Sequence, residues 1–221
     1  MNQTQPDRRS LRTALAAENP STRLKAALAA GTRPDAELLE TLVTRCAVEP
    51  DFYVRDMLTW ALTRQPAGST VPRLLVELGS GRPQARSQAL HTLSKIGDRS
   101  AWPSITQALL RDADDEVARS AWRAAVVLVP EEEKAALATE LAAQLGRGDR
   151  AVQLSLSRAL VALGEVAEPA LRAAPADAGP GVAAHARATE LLLRDPDAGF
   201  DQALDEAKRI VALGPERAAT C

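Results

Sequence analysis

Six side chains in this sequence combine chemically capable types with a regular spacing: Asp56, Trp60, His91, Arg119, Arg123 and Arg158. An indole offers a flat platform for stacking. Histidine transfers protons near neutral pH, and a carboxylate such as Asp56 does so when its surroundings shift it. Arginine grips carboxylate or phosphate through paired hydrogen bonds. Each of the six lies two or six positions after a small or β-branched residue that recurs along the chain. Elements stacked in register would therefore bring them into one stripe. It begins acidic and aromatic, passes through a histidine and ends basic. Each residue also has a plainer reading. Trp60 packs between neighbouring elements, as a large indole usually does. His91 is a surface histidine, Asp56 pairs with Arg55, Arg86 or Lys25, and the three arginines form a solvated face. Trp122, beside an apolar Ala121, belongs to the core, and Trp102 packs between elements or on the outer side.

No catalytic motif accompanies these residues. The two histidines, His91 and His185, have no cysteine or second histidine at ligand spacing, which excludes a zinc site of the usual kind. Asp112, Asp114, Asp115 and Glu116 have the charge of a calcium loop without its glycine or terminal glutamate. The sequence thus predicts no catalytic residue, no metal and no cofactor.

The stripe depends on the elements that carry it. Thr22, Val54, Ala85, Val117, Val152 and Val182 fall in register, separated by 32, 31, 32, 35 and 30 residues. Each opens a run with small or apolar residues four and eight positions on, such as Leu58 and Leu62, Ala121 and Ala125, or Leu156 and Leu160. A four-residue step stacks side chains on one helix face. The last run has Glu190 at its eighth place. A first helix precedes each of these. Val71-Pro72 and Trp102-Pro103 repeat at 31 residues, with Glu168-Pro169 as a third copy. Proline is expected there in a first helical turn, where the amide it lacks would be unpaired. Turns are expected near residues 18–21, 49–51, 80–83, 112–115 and 146–149, with acids supporting the next helix start.

Gly97-Asp98 leads into Ala101-Trp102-Pro103, and Asp112 and Val117 precede an alanine-rich second helix. On this signature residues 10–195 resemble the HEAT-repeat family, in particular its phycobilisome-lyase-type repeats. Such repeats usually carry arginine directly after the aligned residue. Arg23, Arg55 and Arg86 fit, whereas Ala118, Gln153 and Ala183 do not, so a ladder of turn acids to these arginines breaks in the C-terminal half. The resemblance implies an all-α, right-handed α-solenoid of about six helix pairs, forming a single domain over residues 1–221. It implies that the second helices line a concave face, with the six-residue stripe in the groove. Pro175–Gly181 is expected to be a longer loop inside the last pair, and a capping helix is expected over Asp201–Leu213.

Composition narrows the function classes. The net charge of −2 lacks the global basic balance of a nucleic-acid binder. Met1–Ser10 lacks an apolar signal core, and no apolar run is long enough for a membrane span. Cys46 and Cys221 are far apart in sequence, which suits reduced thiols and a cytoplasmic location. The leading expectation is a non-catalytic scaffold that binds a protein or peptide carrying acidic groups. The lyase-type resemblance implies an alternative: handling of a small, anionic molecule near Trp60 and His91, with His91 or Asp56 moving a proton. A third reading, disfavoured by the charge, is nucleic-acid binding like that of HEAT-like DNA glycosylases, whose concave surface uses Trp, Asp and Arg.

Overall fold

A computed structural model describes residues 7–173, 179–195 and 199–213. The chain divides into two compact units, Met1–Ile105 and Thr106–Cys221. No strand occurs among the described residues.

Unit one contains α1 (Arg8–Leu15), α2 (Pro20–Thr32), α3 (Leu39–Cys46), α4 (Phe52–Thr63), α5 (Ala67–Glu77) and α6 (Pro83–Ile96), followed by a 3-10 helix over Arg99–Ser104. Unit two contains α7 (Gln107–Leu110), α8 (Asp115–Leu128), α9 (Lys134–Ala142), α10 (Arg150–Leu163), α11 (Glu168–Arg172), α12 (Pro180–Arg194) and α13 (Phe200–Leu213). Within unit one the second helices α2, α4 and α6 pack in succession. Within unit two α8, α10 and α12 do the same.

Every aligned residue is the third residue of a second helix, from Thr22 in α2 to Val182 in α12. The turns fall where expected, and their Asn and Asp side chains act locally. Asn19 accepts from the Ser21 and Thr22 amides, Asp51 from Val54, Asp114 from Glu116 and Val117, and Asp149 from Val152. Each satisfies a helix-start N–H that has no partner inside the helix. At the opposite end α6 stops on Gly97, whose φ of 72° is left-handed and suits glycine.

The core is made of the predicted faces. Val54, Leu58 and Leu62, Ala85, Ala89 and Leu93, Val117, Ala121 and Ala125, and Val152, Leu156 and Leu160 are all buried. Thr22 is exposed and Val182 only half-buried, so the register loosens in the first and last pairs. Trp122 is fully buried, as its place beside Ala121 indicated, and its Nε1–H donates to the Leu110 carbonyl at 2.9 Å. The bond matters because a buried indole N–H without an acceptor is costly. The C-terminal edge is closed by α13. Its Phe200, Ala203, Leu204 and Ala207 pack on Ala184, Ala188 and Leu192 of α12. The expected loop at Pro175–Gly181 is replaced by helix at Pro180 and Gly181, while residues 174–178 lie outside the described part.

Two first-helix expectations change. Pro72 is the sixth residue of α5, because the helix begins at Ala67 rather than beside Val71. The carbonyl that loses its partner is that of Gly68, which is exposed and has open space beside it. Trp102 and Pro103 do not start an α-helix. They lie in the 3-10 helix, and α7 restarts only at Gln107, where Thr106 caps the Leu109 amide at 3.4 Å.

Candidate functional site

In unit one, Asp56, Trp60 and His91 occupy the second helices α4 and α6. Asp56 is exposed and makes no ion pair with another described residue, so the pairing with Arg55, Arg86 or Lys25 is absent. Trp60 does two things at once. Its ring lies on Gly31 of α2, so close that a Cβ at Gly31 would stand 2.3 Å from the ring, yet 37% of the residue stays exposed. Packing and an open aromatic face are thus compatible. His91 is half-buried. Ser87, two positions after the aligned Ala85, is buried and donates to the Gln84 carbonyl at 3.2 Å. In α6 only the sixth-position residue therefore approaches solvent. A cavity of about 390 Å³ in this unit lies elsewhere, on the first helices, between Arg12, Leu15 and Ala16 of the α1 region and Glu40, Thr44 and Val48 of the α3 region.

In unit two, Arg119 and Arg123 sit one turn apart on α8, and Arg158 sits on the neighbouring α10 at the register position of Arg123. Arg119 pairs with Glu116, but its Nε is buried without a hydrogen-bond partner among the described residues. Arg123 is exposed and makes only long contacts, to the Arg119 carbonyl and the Ser120 hydroxyl, both at 3.3 Å. Partial withdrawal of its head from water, and then the charge of Arg119, lower its pKa. Arg158 is exposed, and neither it nor Arg123 has an ion pair among the described residues. The contrast lies on the first-helix side, where Arg8 pairs with Asp35, Arg73 with Glu40 and Glu77, Arg111 with Glu140, and Arg172 with Glu168. Leu154, at the second position of α10, is half-buried against the α12–α13 core and does not continue a polar row.

The arginines directly after the aligned residues have a structural task. Arg23 donates to the Ala17 and Glu18 carbonyls, Arg55 to those of Glu49 and Pro50, and Arg86 to that of Ser80. Each reaches back and ties its own turn to its second helix. Arg23 also joins the fully buried Glu49, with Nε and Nη2 at 2.7 and 2.6 Å from the two carboxylate oxygens. Burial alone would raise the Glu49 carboxyl. Arg23, the Asp51 amide and Arg45 together outweigh it and hold the pKa at about 2.

In the C-terminal half the ladder changes hands rather than simply breaking. Arg147, from the turn before α10, reaches the preceding turn, bonding the Asp112 carbonyl and the Asp115 carboxylate. Its guanidinium lies 5.9 Å from the Trp122 ring centre. In the next pair His185 takes the corresponding place. It is fully buried, its Nδ1 accepts from the Gly146 amide at 3.0 Å, and its Nε2 lies 3.0 Å from both the Gln153 carbonyl and Ser157 Oγ. The accepting Nδ1 places the single ring proton on Nε2. Thr189 Oγ1 donates to the His185 carbonyl and receives the Ser157 hydroxyl proton, which completes the network. Burial lowers the His185 pKa to about 4, so the ring is neutral. Sequence reading missed both substitutes, because neither follows an aligned residue directly. A clue was available: Arg147 sits in the longest interval of the repeat.

Among the described residues no three His, Cys, Asp or Glu side chains cluster to hold a metal ion, and no helix is long and apolar enough to cross a membrane. Cys46 is buried, which pushes its thiol up to about 12 and suppresses thiolate chemistry.

Residues 45–126, from the end of α3 through most of α8, match the family of HEAT repeats. Residues 45–126 thus carry HEAT-like repeats, and the described helices of each unit follow one another as the pairs of an all-α, solenoid-type fold. The crystal structure of an engineered protein from the Northeast Structural Genomics Consortium is similar at 22% identity, with a TM-score of 0.48, over 91% of this chain and 95% of that one. No curated protein matches the chain.

Proposed function

We propose that this protein is a non-catalytic cytoplasmic binding scaffold that holds an acidic segment of a partner protein on its second-helix face through Arg119, Arg123 and Arg158. HEAT repeats serve generally as binding surfaces without needing a catalytic group. One observation carries the reading: Arg123 and Arg158 occupy one register position on adjacent helices, exposed and without a carboxylate among the described residues, while Arg73, Arg111 and Arg172 on the first-helix side each hold one. Guanidinium groups left without counter-charge supply charge-assisted bonds to an incoming carboxylate.

The test is binding of a fluorescent glutamate-rich peptide to the wild type and to an Arg123→Ala/Arg158→Ala variant. The double variant should bind about tenfold more weakly, with unchanged helical content. Lys134→Ala serves as the first-helix control. Glu140 does not, because it holds Arg111 and Gln107. Equal binding by the double variant, or loss of binding in Lys134→Ala alone, would show that the wrong face was assigned. Stronger and more salt-sensitive binding of duplex DNA would favour the nucleic-acid reading instead.

The open side of Trp60 supports a second reading for unit one. There a small molecule would stack on Trp60 with His91 one repeat away, as the lyase-type resemblance implies. Its signature would be a ligand-induced shift of the Trp60 indole resonance that is lost in Trp60→Leu.

A further inference from the structure

We propose that Arg119 and Arg123 form a clamp for a single phosphate monoester dianion, carried on a phosphorylated side chain of the partner. The inference rests on the scaffold reading and names the chemistry of the group that is gripped. Positions i and i+4 face the same way, so both guanidiniums can reach one ligand. Among the described residues only one carboxylate, Glu116, bonds the pair, and it bonds only Arg119. Two positive charges stand one turn apart; burial, and then the charge of Arg119, lower the pKa of Arg123, so a further negative charge there would be favourable.

The resting pose of Arg119 is itself incomplete. Its Nε–H is buried with no acceptor among the described residues, a state that carries the full desolvation penalty of a donor. Turning the head from Glu116 toward an anion at Arg123 would satisfy that donor. The ligand therefore replaces an unsatisfactory arrangement rather than a good one. Ser120, whose Oγ already touches Arg123, lies between the two arginines on α8.

The surroundings favour a compact dianion over a nucleic-acid backbone. At the N-terminal side α8 begins with Asp115 and Glu116, preceded by Asp112 and Asp114. A nucleic-acid strand running the length of α8 would meet those acids. A lone phosphate concentrates its charge where the arginines are and keeps the flanking chain free of charge. One turn beyond Arg123, at the same spacing, Val127 is 45% exposed. The row along α8 thus reads basic, basic, apolar, which suits a phosphorylated residue followed by an apolar one in a peptide. A sugar-phosphate backbone offers nothing to Val127.

The experiment compares short peptide pools with a fixed central phosphoserine, with the same position unphosphorylated, and with glutamate there. Inorganic phosphate and a single-stranded oligothymidine are added as further probes. Binding is read from the Arg119 and Arg123 Nε–H resonances of the full chain. The phosphoserine pool should bind about tenfold more tightly than the glutamate pool and shift both resonances. Arg123→Lys, which keeps the charge but loses the fork, should erase that preference. Circular dichroism should stay unchanged. Equal binding of the phosphoserine and glutamate pools overturns the clamp and leaves the acidic-partner scaffold standing. Binding of inorganic phosphate as tight as that of the phosphoserine pool overturns the peptide as its source. Preference for the oligothymidine, or no binding by any pool, overturns both the clamp and the scaffold reading.

Discussion

Lowering the pH should loosen unit two through one residue, His185. Its ring is neutral in the fold, with a pKa lowered from 6.5 to about 4 by burial. The unfolded chain keeps the ordinary value, so below neutrality it binds the proton that the folded chain refuses. The stabilisation is therefore complete above the unfolded pKa and is lost as pH falls from 6.5 through 4. At ~1.4 kcal/mol per unit the full loss is about 3 kcal/mol, of which about 2 kcal/mol is gone near pH 5. Geometry explains the refusal. A second ring proton would sit on Nδ1 and point at the Gly146 N–H, donor against donor. Charged residues stand on the packed elements, among them Arg147 and Asp149 in the turn, Arg150 and Arg158 on α10, Arg187, Glu190 and Arg194 on α12, and Asp205, Glu206, Lys208 and Arg209 on α13. None of them bonds the ring; its partners are Gly146, Gln153 and Ser157. The assay is urea unfolding of the wild type and His185→Gln at neutral pH and near pH 5. Between those conditions the wild type should lose about 2 kcal/mol more than the variant, which cannot titrate there. Parallel losses would refute the reasoning, as would a His185 ring resonance that titrates near the ordinary histidine value.

Two further perturbations test packing in unit one. Glu49→Ala should destabilise by about 3–5 kcal/mol in chemical denaturation, because it leaves the buried Arg23 guanidinium without its carboxylate; the wild-type contribution is present above pH 4.5 and fades as Glu49 is protonated toward its pKa of about 2. Gly31→Ala should displace the Trp60 ring and lower stability by about 1–3 kcal/mol, since the new Cβ would meet ring carbons at 2.3 and 2.5 Å and the Ala61 Cα at 2.9 Å; an unmoved Trp60 indole resonance would contradict that packing.

Sequence alone determined the second helices and the buried faces of the middle four, whereas the first-helix starts at Val71-Pro72 and Trp102-Pro103 were misplaced. Periodicity and capping are local properties, carried by residues within a turn or two of each other, so Val54, Leu58 and Leu62 or Asp114 before Val117 could be read without a fold. It also supplied the six candidate residues and their register, because a repeat turns position into neighbourhood. What it could not supply was the partner of each polar group. Arg23 meets Glu49 across 26 residues, Arg147 meets Asp115 across 32, and His185 meets Gly146 across 39. Those pairings exist only once helices are stacked, and they replace a ladder that the sequence showed only as interrupted. The same holds for the candidate site. Asp56, Arg123 and Arg158 were visible as charged residues, but only tertiary packing left them without counter-charge among the described residues while closing Ser87 and half-burying Leu154. Burial and pairing depend on atoms brought together from distant segments, and so they are decided by the fold.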